Sequence, residues 1–175
     1  MPNPQWVRLL RMIERVGTTV RLGIISDTHG LLRPQAMAFL RGSDRILHGG
    51  DIGNAEILAR LSTIAPVTAV RGNNDDGAWA EAIPETECFE FGGIHVYAVH
   101  DLSRLDIEPS AAGIRVVVSG HSHKPMIEQR HGVFFVNPGS AGPRRFKLQI
   151  SVADISIEGN AISPRIVELE IDRTA

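Results

Sequence analysis

Hydrophobic and polar positions fall in short blocks along this chain, and the blocks change character half-way. The apolar run Leu22-Gly23-Ile24-Ile25 predicts a buried strand over 21–26 that empties into Asp27-Thr28-His29-Gly30. Pro34 suits the first turn of a helix over 34–41. A second strand over 43–48 ends at Gly49-Gly50-Asp51, Asn54 can cap a helix over 55–62, and a third strand over 67–70 ends at Arg71-Gly72-Asn73-Asn74-Asp75. This is β-α-β-α-β, with every strand stopping at a Gly/Asp/Asn/His loop, the place where open α/β sheets carry ligands. Past residue 86 the pattern turns to strands: a hairpin of 87–91 and 94–99 about Gly92-Gly93, a short helix over 103–112, then strands over 114–119, 126–130, 133–136, 148–153 and 162–171. Two mixed sheets packed face to face with helices outside are expected, an α/β (α+β) architecture.

The first residues read differently. Trp6, Leu9, Leu10, Ile13 and Val16 recur at helical spacing between Arg8, Arg11, Glu14 and Arg15, which predicts an amphipathic helical extension over 1–19 ahead of one domain over 20–175. Such a helix would pack on the domain or on a second copy, so a homo-oligomer is an open expectation. Its apolar run is too broken for a signal-peptide core. No window approaches the roughly 18–20 apolar residues of a membrane span, and a cytoplasmic protein without a membrane partner is expected.

Composition narrows the chemistry. With 175 residues, 43% apolar, and a net charge of -2, the chain can bury a core and is not intrinsically disordered. The near-neutral balance, with two lysines against sixteen arginines, argues against nucleic acid as a partner. A single cysteine, Cys88, excludes an internal disulfide and cysteine-rich zinc sites, and its strand position reads as a small buried apolar residue.

The candidate chemistry lies at the strand ends: Asp27 and His29, Asp51, Asn73, His100, His121 and His123. The intervals between these groups each fit a strand plus a return element, so the loops can converge on one edge. Oxygen and imidazole donors without thiolate suit Mn, Fe, Co, Ni or Zn. Seven ligands with one shared carboxylate can fill two sites, and two ions about 3.5–4 Å apart can hold a bridging hydroxide while clamping a phosphate. Asp51 is the best candidate for the shared carboxylate, and Asn73 adds a neutral amide oxygen.

This ordered set, with Ser26-Asp27-Thr28-His29-Gly30, His48-Gly49-Gly50-Asp51, Gly120-His121-Ser122-His123-Lys124-Pro125 and Asn137-Pro138-Gly139-Ser140, resembles the calcineurin-like metallophosphoesterase superfamily, and within it the small single-domain prokaryotic phosphodiesterase branch. The resemblance runs from about Leu22 to Arg145 and implies a four-layer αββα sandwich. By the same resemblance, Asp27, His29, Asp51 and His123 would hold one metal and Asp51, Asn73, His100 and His121 a second, with manganese favoured. Asp51, Asn73 and His100 would then be the catalytic core of an in-line phosphodiesterase acting on a small phosphodiester or nucleotide-like substrate. Two positions depart from the pattern. Asn74 stands where many members carry a histidine able to protonate the leaving oxygen, which favours diesters or activated esters. Asp101 stands where the family usually has glycine, suited to unusual backbone angles but adding negative charge near the site.

Arg71, Asn74 and Arg144 (with its neighbour Arg145) are candidate substrate contacts, since arginine binds phosphate oxygens bidentately. His48 reads as a core or supporting histidine, His95 and His131 as surface residues, Asp75 as a turn residue or a group orienting a ligand, and Trp79 as packing. Alternative functions are a phosphomonoesterase or nucleotide pyrophosphohydrolase of the same fold, or a non-catalytic protein-binding scaffold resembling the small retromer subunit. The retained histidines speak against the last.

Overall fold

Strand β1 (Val20–Ile25) sends its side chains alternately to two cores. Leu22 and Ile24 enter a cluster with Val96, Val116, Val118, Val136 and Ile155, while Ile25 joins Leu40, Ile46, Ile57 and Leu61 on the opposite face. A strand buried on both faces is what a near-continuous apolar run predicts. Gly23 faces the second cluster because nothing larger fits: a Cβ there would lie 2.6 Å from Leu40 and 2.5 Å from the Ser43 hydroxyl.

We describe residues 18–145 and 147–171 of a computed structural model. The expected N-terminal helix lies, but for its last two positions, outside them. Two five-stranded mixed sheets stack face to face. The first has the order β10-β9-β1-β2-β3, with β2 (Arg45–His48) and β3 (Val67–Ala69) parallel to β1, β9 (Ser151–Glu158) antiparallel to β1, and β10 (Ala161–Glu168) antiparallel to β9. The second has the order β4-β5-β6-β8-β7, in which β5 (Ile94–Val99), β6 (Ile114–Val118) and β8 (Val133–Asn137) run parallel while β4 (Thr86–Phe91) and β7 (Met126–Arg130) are antiparallel edges. Helices α1 (Pro34–Leu40) and α2 (Ala55–Ser62) cover the outer face of the first sheet through Ala36, Leu40, Ile57 and Leu61. The Asn54 side chain caps α2 by accepting from the N–H of Ile57 at 3.3 Å. One-turn α3 (Ala78–Glu81) brings Trp79 against the same cluster.

Three expectations need correction. The helix over 103–112 is a single 3₁₀ turn, Leu102–Arg104, followed by loop; Leu102, Leu105 and Ile107 still cover Tyr97, Val117 and Phe135 of the second sheet. Pro109 keeps one helix from running through 103–112, because it lacks an N–H and disfavours helical backbone at Glu108; a separate turn follows it, closed by the Ala112 N–H to the Glu108 carbonyl at 3.0 Å. The strand over 148–153 begins only at Ser151 and runs to Glu158, where Gly159 (φ 57) and Asn160 turn the chain into β10. Cys88 is exposed, not buried: on edge strand β4 Glu87, Phe89 and Phe91 are the half-buried positions, and Cys88 alternates outward with Thr86 and Glu90.

The contrast between the faces is measurable. Ile155→Ala in the inter-sheet core, fully buried, is expected to cost about 2–5 kcal/mol of unfolding free energy in urea denaturation. Cys88→Ser is expected to stay within about 0.5 kcal/mol of the parent, as an exposed substitution should.

Candidate metal centre

Strands β1, β2 and β3 of the first sheet and β5, β6 and β8 of the second deliver their carboxyl ends to one edge of the sandwich, and the loops leaving them meet there. Backbone hydrogen bonds stitch the loops together: Asp27 N–H to the Gly50 carbonyl at 2.9 Å, His29 N–H to the Asp51 carbonyl at 2.9 Å, and Gly120 N–H to the His100 carbonyl at 2.9 Å. Asp27, His29, Asp51, His121 and His123 all have φ between 45° and 65°, and among the described residues only His131 joins them as a non-glycine with positive φ. Left-handed backbone at non-glycine residues costs free energy and persists where the surroundings over-determine it. Here it turns five candidate donors inward.

All seven candidate donors come together, in two groups that meet at Asp51. In the first, His123 Nε2 lies 3.1 Å from Asp27 Oδ1, His29 Nε2 lies 3.4 Å from His123 Nε2, and His29 Nε2 lies 3.8 Å from Asp51 Oδ2. In the second, His100 Nε2 is 3.4 Å from Asp51 Oδ1 and 3.2 Å from Asn73 Oδ1, and His121 Nδ1 is 2.9 Å from the same amide oxygen. Asp27, Asp51 and His100 also each offer an atom within 4.8 Å of the others.

This crowding of lone pairs fits a cation. Asp27 is fully buried, and its Oδ1, although 3.1 Å from His123 Nε2, is not aligned for a hydrogen bond. Among the described residues three buried side-chain polar atoms lack a hydrogen-bond partner, and two of them, Asp27 Oδ1 and His123 Nδ1, belong to this cluster. Unpaired buried polar atoms are costly, and a bound ion is one explanation for them. His100 Nδ1 lies 2.7 Å from the Gly49 carbonyl, which assigns the proton to that nitrogen and leaves Nε2 free to face the centre. Burial opposes the charged imidazolium of His100, yet the Asp51 carboxylate and the Gly49 carbonyl raise its pKa above the ordinary value. Burial likewise opposes ionisation of Asp51, but hydrogen bonds from His100 and Asn74 outweigh it and hold the carboxyl well below the usual range. His29 is lowered, by burial first and by nearby Arg145, against the pull of Asp51.

Several supporting groups were not legible as such from spacing. Ser26 Oγ donates to Asp27 Oδ2 at 2.6 Å, and Ser140 Oγ donates to the Asp27 carbonyl at 3.0 Å. Asn137 Nδ2 donates to the Gly120 carbonyl at 2.6 Å and so holds the His121-Ser122-His123 turn. The Asn137-Pro138-Gly139-Ser140 motif is the sequence signal for Asn137 and Ser140, and Asp75 reads from the sequence as a turn residue or a group orienting a ligand. Asp75 accepts from Gly53 N–H at 2.9 Å and Gly72 N–H at 2.8 Å, tying the loop of Asp51 to that of Asn73. Gly72 packs so closely that a Cβ would lie 2.1 Å from the Asp51 N and Oδ1 atoms.

The candidate substrate contacts separate. The Asn74 amide donates to Asp51 Oδ2 at 2.6 Å, while its backbone N–H donates to Oδ1 at 2.9 Å, so its side-chain amide is directed at the carboxylate. Arg144 donates to the Leu148 carbonyl at 3.2 Å, whereas Arg145 reaches within 3.4 Å of His29 Nε2. Arg71 pairs with Glu85 at 2.9 Å on the wall of a cavity of about 560 Å³, which opens beside Asn73, His100 and His121. Asp101 has φ -104, an ordinary extended angle, so the expectation that it serves an unusual backbone conformation fails; its Oδ1 instead accepts the Ser103 N–H at 2.9 Å.

A model of the calcineurin-like phosphoesterase superfamily domain matches residues 20–160. The chain belongs to that superfamily. A probable metallophosphoesterase of Methanothermobacter thermautotrophicus is 36% identical over 158 residues, covering 83% of this chain and 91% of that protein. Phosphodiesterase YfcE of Escherichia coli is 27% identical over 151 residues, covering 69% of this chain and 79% of its own length. The structure of vacuolar protein sorting 29 from Cryptosporidium parvum superposes with a TM-score of 0.75 at 19% identity, covering 88% of this chain and 93% of that one, a likeness of fold. This phosphoesterase is therefore an ester hydrolase of a metal-dependent family. Among the described residues no helix is long and apolar enough to cross a membrane.

Beneath the centre His48 is fully buried and neutral. Gly50 N–H donates to its Nδ1 at 3.2 Å, which makes Nε2–H the donor to Thr28 Oγ1 at 2.9 Å, and that hydroxyl donates onward to the Ile52 carbonyl at 2.8 Å. Burial pushes its pKa from 6.5 down to about 3. Below the unfolded value only the unfolded chain takes up this proton, so stability falls as pH drops, by about 1.4 kcal/mol per unit. In chelator-treated protein the loss of unfolding free energy between about pH 7.5 and pH 5 is expected to be about 2 kcal/mol larger for the parent than for His48→Gln. Equal losses in urea titrations would place a proton on His48 in the folded state.

Proposed function

We propose that this phosphoesterase is a dinuclear phosphodiesterase. The observation that carries the reading is the place of Asp51, whose two oxygens face different donor groups, Oδ2 toward His29 and Oδ1 toward His100. Asp27, His29, Asp51 and His123 would hold one divalent ion, and Asp51, Asn73, His100 and His121 the other. Oxygen and imidazole donors without sulfur suit manganese or another borderline ion. Bound there, the ions would supply Lewis acidity toward a phosphoryl oxygen and lower the pKa of a water.

The chain's own residues set the rest. Only Asp27 and Asp51 bring negative charge to the seven donors, and the neutral amide of Asn73 replaces what could have been a third carboxylate. Two divalent ions would therefore keep an excess of positive charge for an anionic ester. Arg145, beside His29, has a guanidinium in reach of a phosphate oxygen on that side. His100 is kept in one tautomer by Gly49, and Asn74 holds Asp51 through both oxygens, so the shared carboxylate is fixed before substrate arrives. An amide cannot deliver a proton to a departing alkoxide at neutral pH, so Asn74 favours esters whose leaving groups are already acidic. The retention of all four histidines weighs against a purely scaffolding role. The name of the Escherichia coli relative supports diesters as the substrate class.

The test is hydrolysis of bis-p-nitrophenyl phosphate by chelator-stripped protein with Mn²⁺ restored. Turnover is expected to require the metal and to fall by roughly hundredfold or more in Asp51→Asn, which weakens both proposed sites at once. Protein that binds Mn²⁺ yet hydrolyses no ester with any divalent ion would overturn the reading in favour of a scaffold.

A further inference from the structure

Charge around the centre is uneven. On the side of His29 stands a guanidinium, Arg145, at 3.4 Å. On the side of His121 a cavity begins, and its charged wall is made by Arg71, Asp75, Glu85, Asp101, Arg104 and Asp106. Both guanidiniums there turn to one carboxylate, Glu85, at 2.9 Å from Arg71 and 3.8 Å from Arg104. Asp101 has no arginine or lysine partner among the described residues: Oδ1 is taken by the Ser103 N–H, and Oδ2 lies 4.0 Å from His121 Nε2. His121 is the most open of the four histidine donors, with 46% of its side chain exposed. Of the carboxylates on this wall only Glu85 is paired with arginine among the described residues, and of the others, Asp75, Asp101 and Asp106, it is Asp101 that stands within 4.0 Å of His121, where the second donor group opens to the cavity.

We propose that Asp101 is a specificity-determining residue that selects substrate by charge: it admits the uncharged substituent of a monoanionic phosphodiester along the His121 side and disfavours esters bringing a second negative charge there. Phosphomonoester dianions and nucleoside polyphosphates are the disfavoured class. The inference rests on the phosphodiesterase function proposed above and differs from the effect of Asn74, which concerns the leaving group and not the charge of the substrate.

Two esters with the same leaving group separate the effects: bis-p-nitrophenyl phosphate, with one negative charge, and p-nitrophenyl phosphate, with two above about pH 7. The readout is the ratio of their kcat/KM values in the Mn²⁺-loaded protein, for the parent, Asp101→Asn and Asp101→Gly. Asparagine keeps an oxygen for the Ser103 N–H, so the turn is retained while the charge is removed. The diester-to-monoester ratio is expected to fall about tenfold in both variants, the scale of one unit charge acting across a partly solvated site. Raising salt from about 20 to about 500 mM is also expected to lower the ratio in the parent relative to the variants, because only the parent has the Asp101 charge for salt to screen. A ratio within about twofold of the parent in both variants would overturn the charge-selection proposal while leaving the phosphodiesterase standing. If the parent hydrolyses neither ester, the function itself fails and this inference falls with it.

Discussion

Buried carboxylate and imidazole lone pairs facing one another are unfavourable unless something positive sits between them, and at this sheet edge the whole loop architecture is committed to holding them so. Asp51 is the pivot. It is almost fully buried, it belongs to both donor groups, and its two oxygens are each fixed by Asn74. The neighbouring loops approach it so tightly that Gly72 cannot carry a side chain, and five donors adopt left-handed backbone angles. The fold offsets that cost with two apolar cores, one between the sheets and one under α1 and α2, whose strands end in register at the same edge.

The support is layered outward from the donors. Ser26 and Ser140 fix Asp27, Asn137 fixes the turn of His121 and His123, Asp75 ties the Asp51 loop to the Asn73 loop, and His48 fills the space below as a neutral hydrogen-bonding link. Most of these contacts come from small polar side chains, and Asp75 is the one acid among them. The outer wall is the opposite, with several charged side chains at or near the surface. On the function proposed, the inner contacts position the donors and the outer wall sets which charges are admitted.

Much of the fold and of the site was legible in the sequence. The parallel strands and the polar loops after them could be read because a strand buried on both faces leaves an apolar run, and because donor residues stand at its end. Asp27, His29, Asp51, Asn73, His100, His121 and His123 converge as their order along the chain suggested. What escaped depends on contacts between distant segments. Strand β9 carries Ser151, Asp154 and Ser156 among its apolar residues, and Asp154 is satisfied only by Arg21 and Arg165 from neighbouring strands. Cys88 reads as buried because free cysteine behaves as a small apolar residue, but the face that turns inward on β4 is that of Phe89 and Phe91. The helix expected over 103–112 contains Pro109, a local signal against one continuous helix.

The most direct test of the shared-carboxylate centre is to count and couple its ions. Mn²⁺-loaded protein, examined by elemental analysis and electron paramagnetic resonance, is expected to carry two ions per chain with an exchange-coupled spectrum, as two ions sharing one carboxylate should give. A single ion per chain at saturating Mn²⁺, or two that give only the uncoupled six-line signal, would contradict the assignment of Asp51 to both.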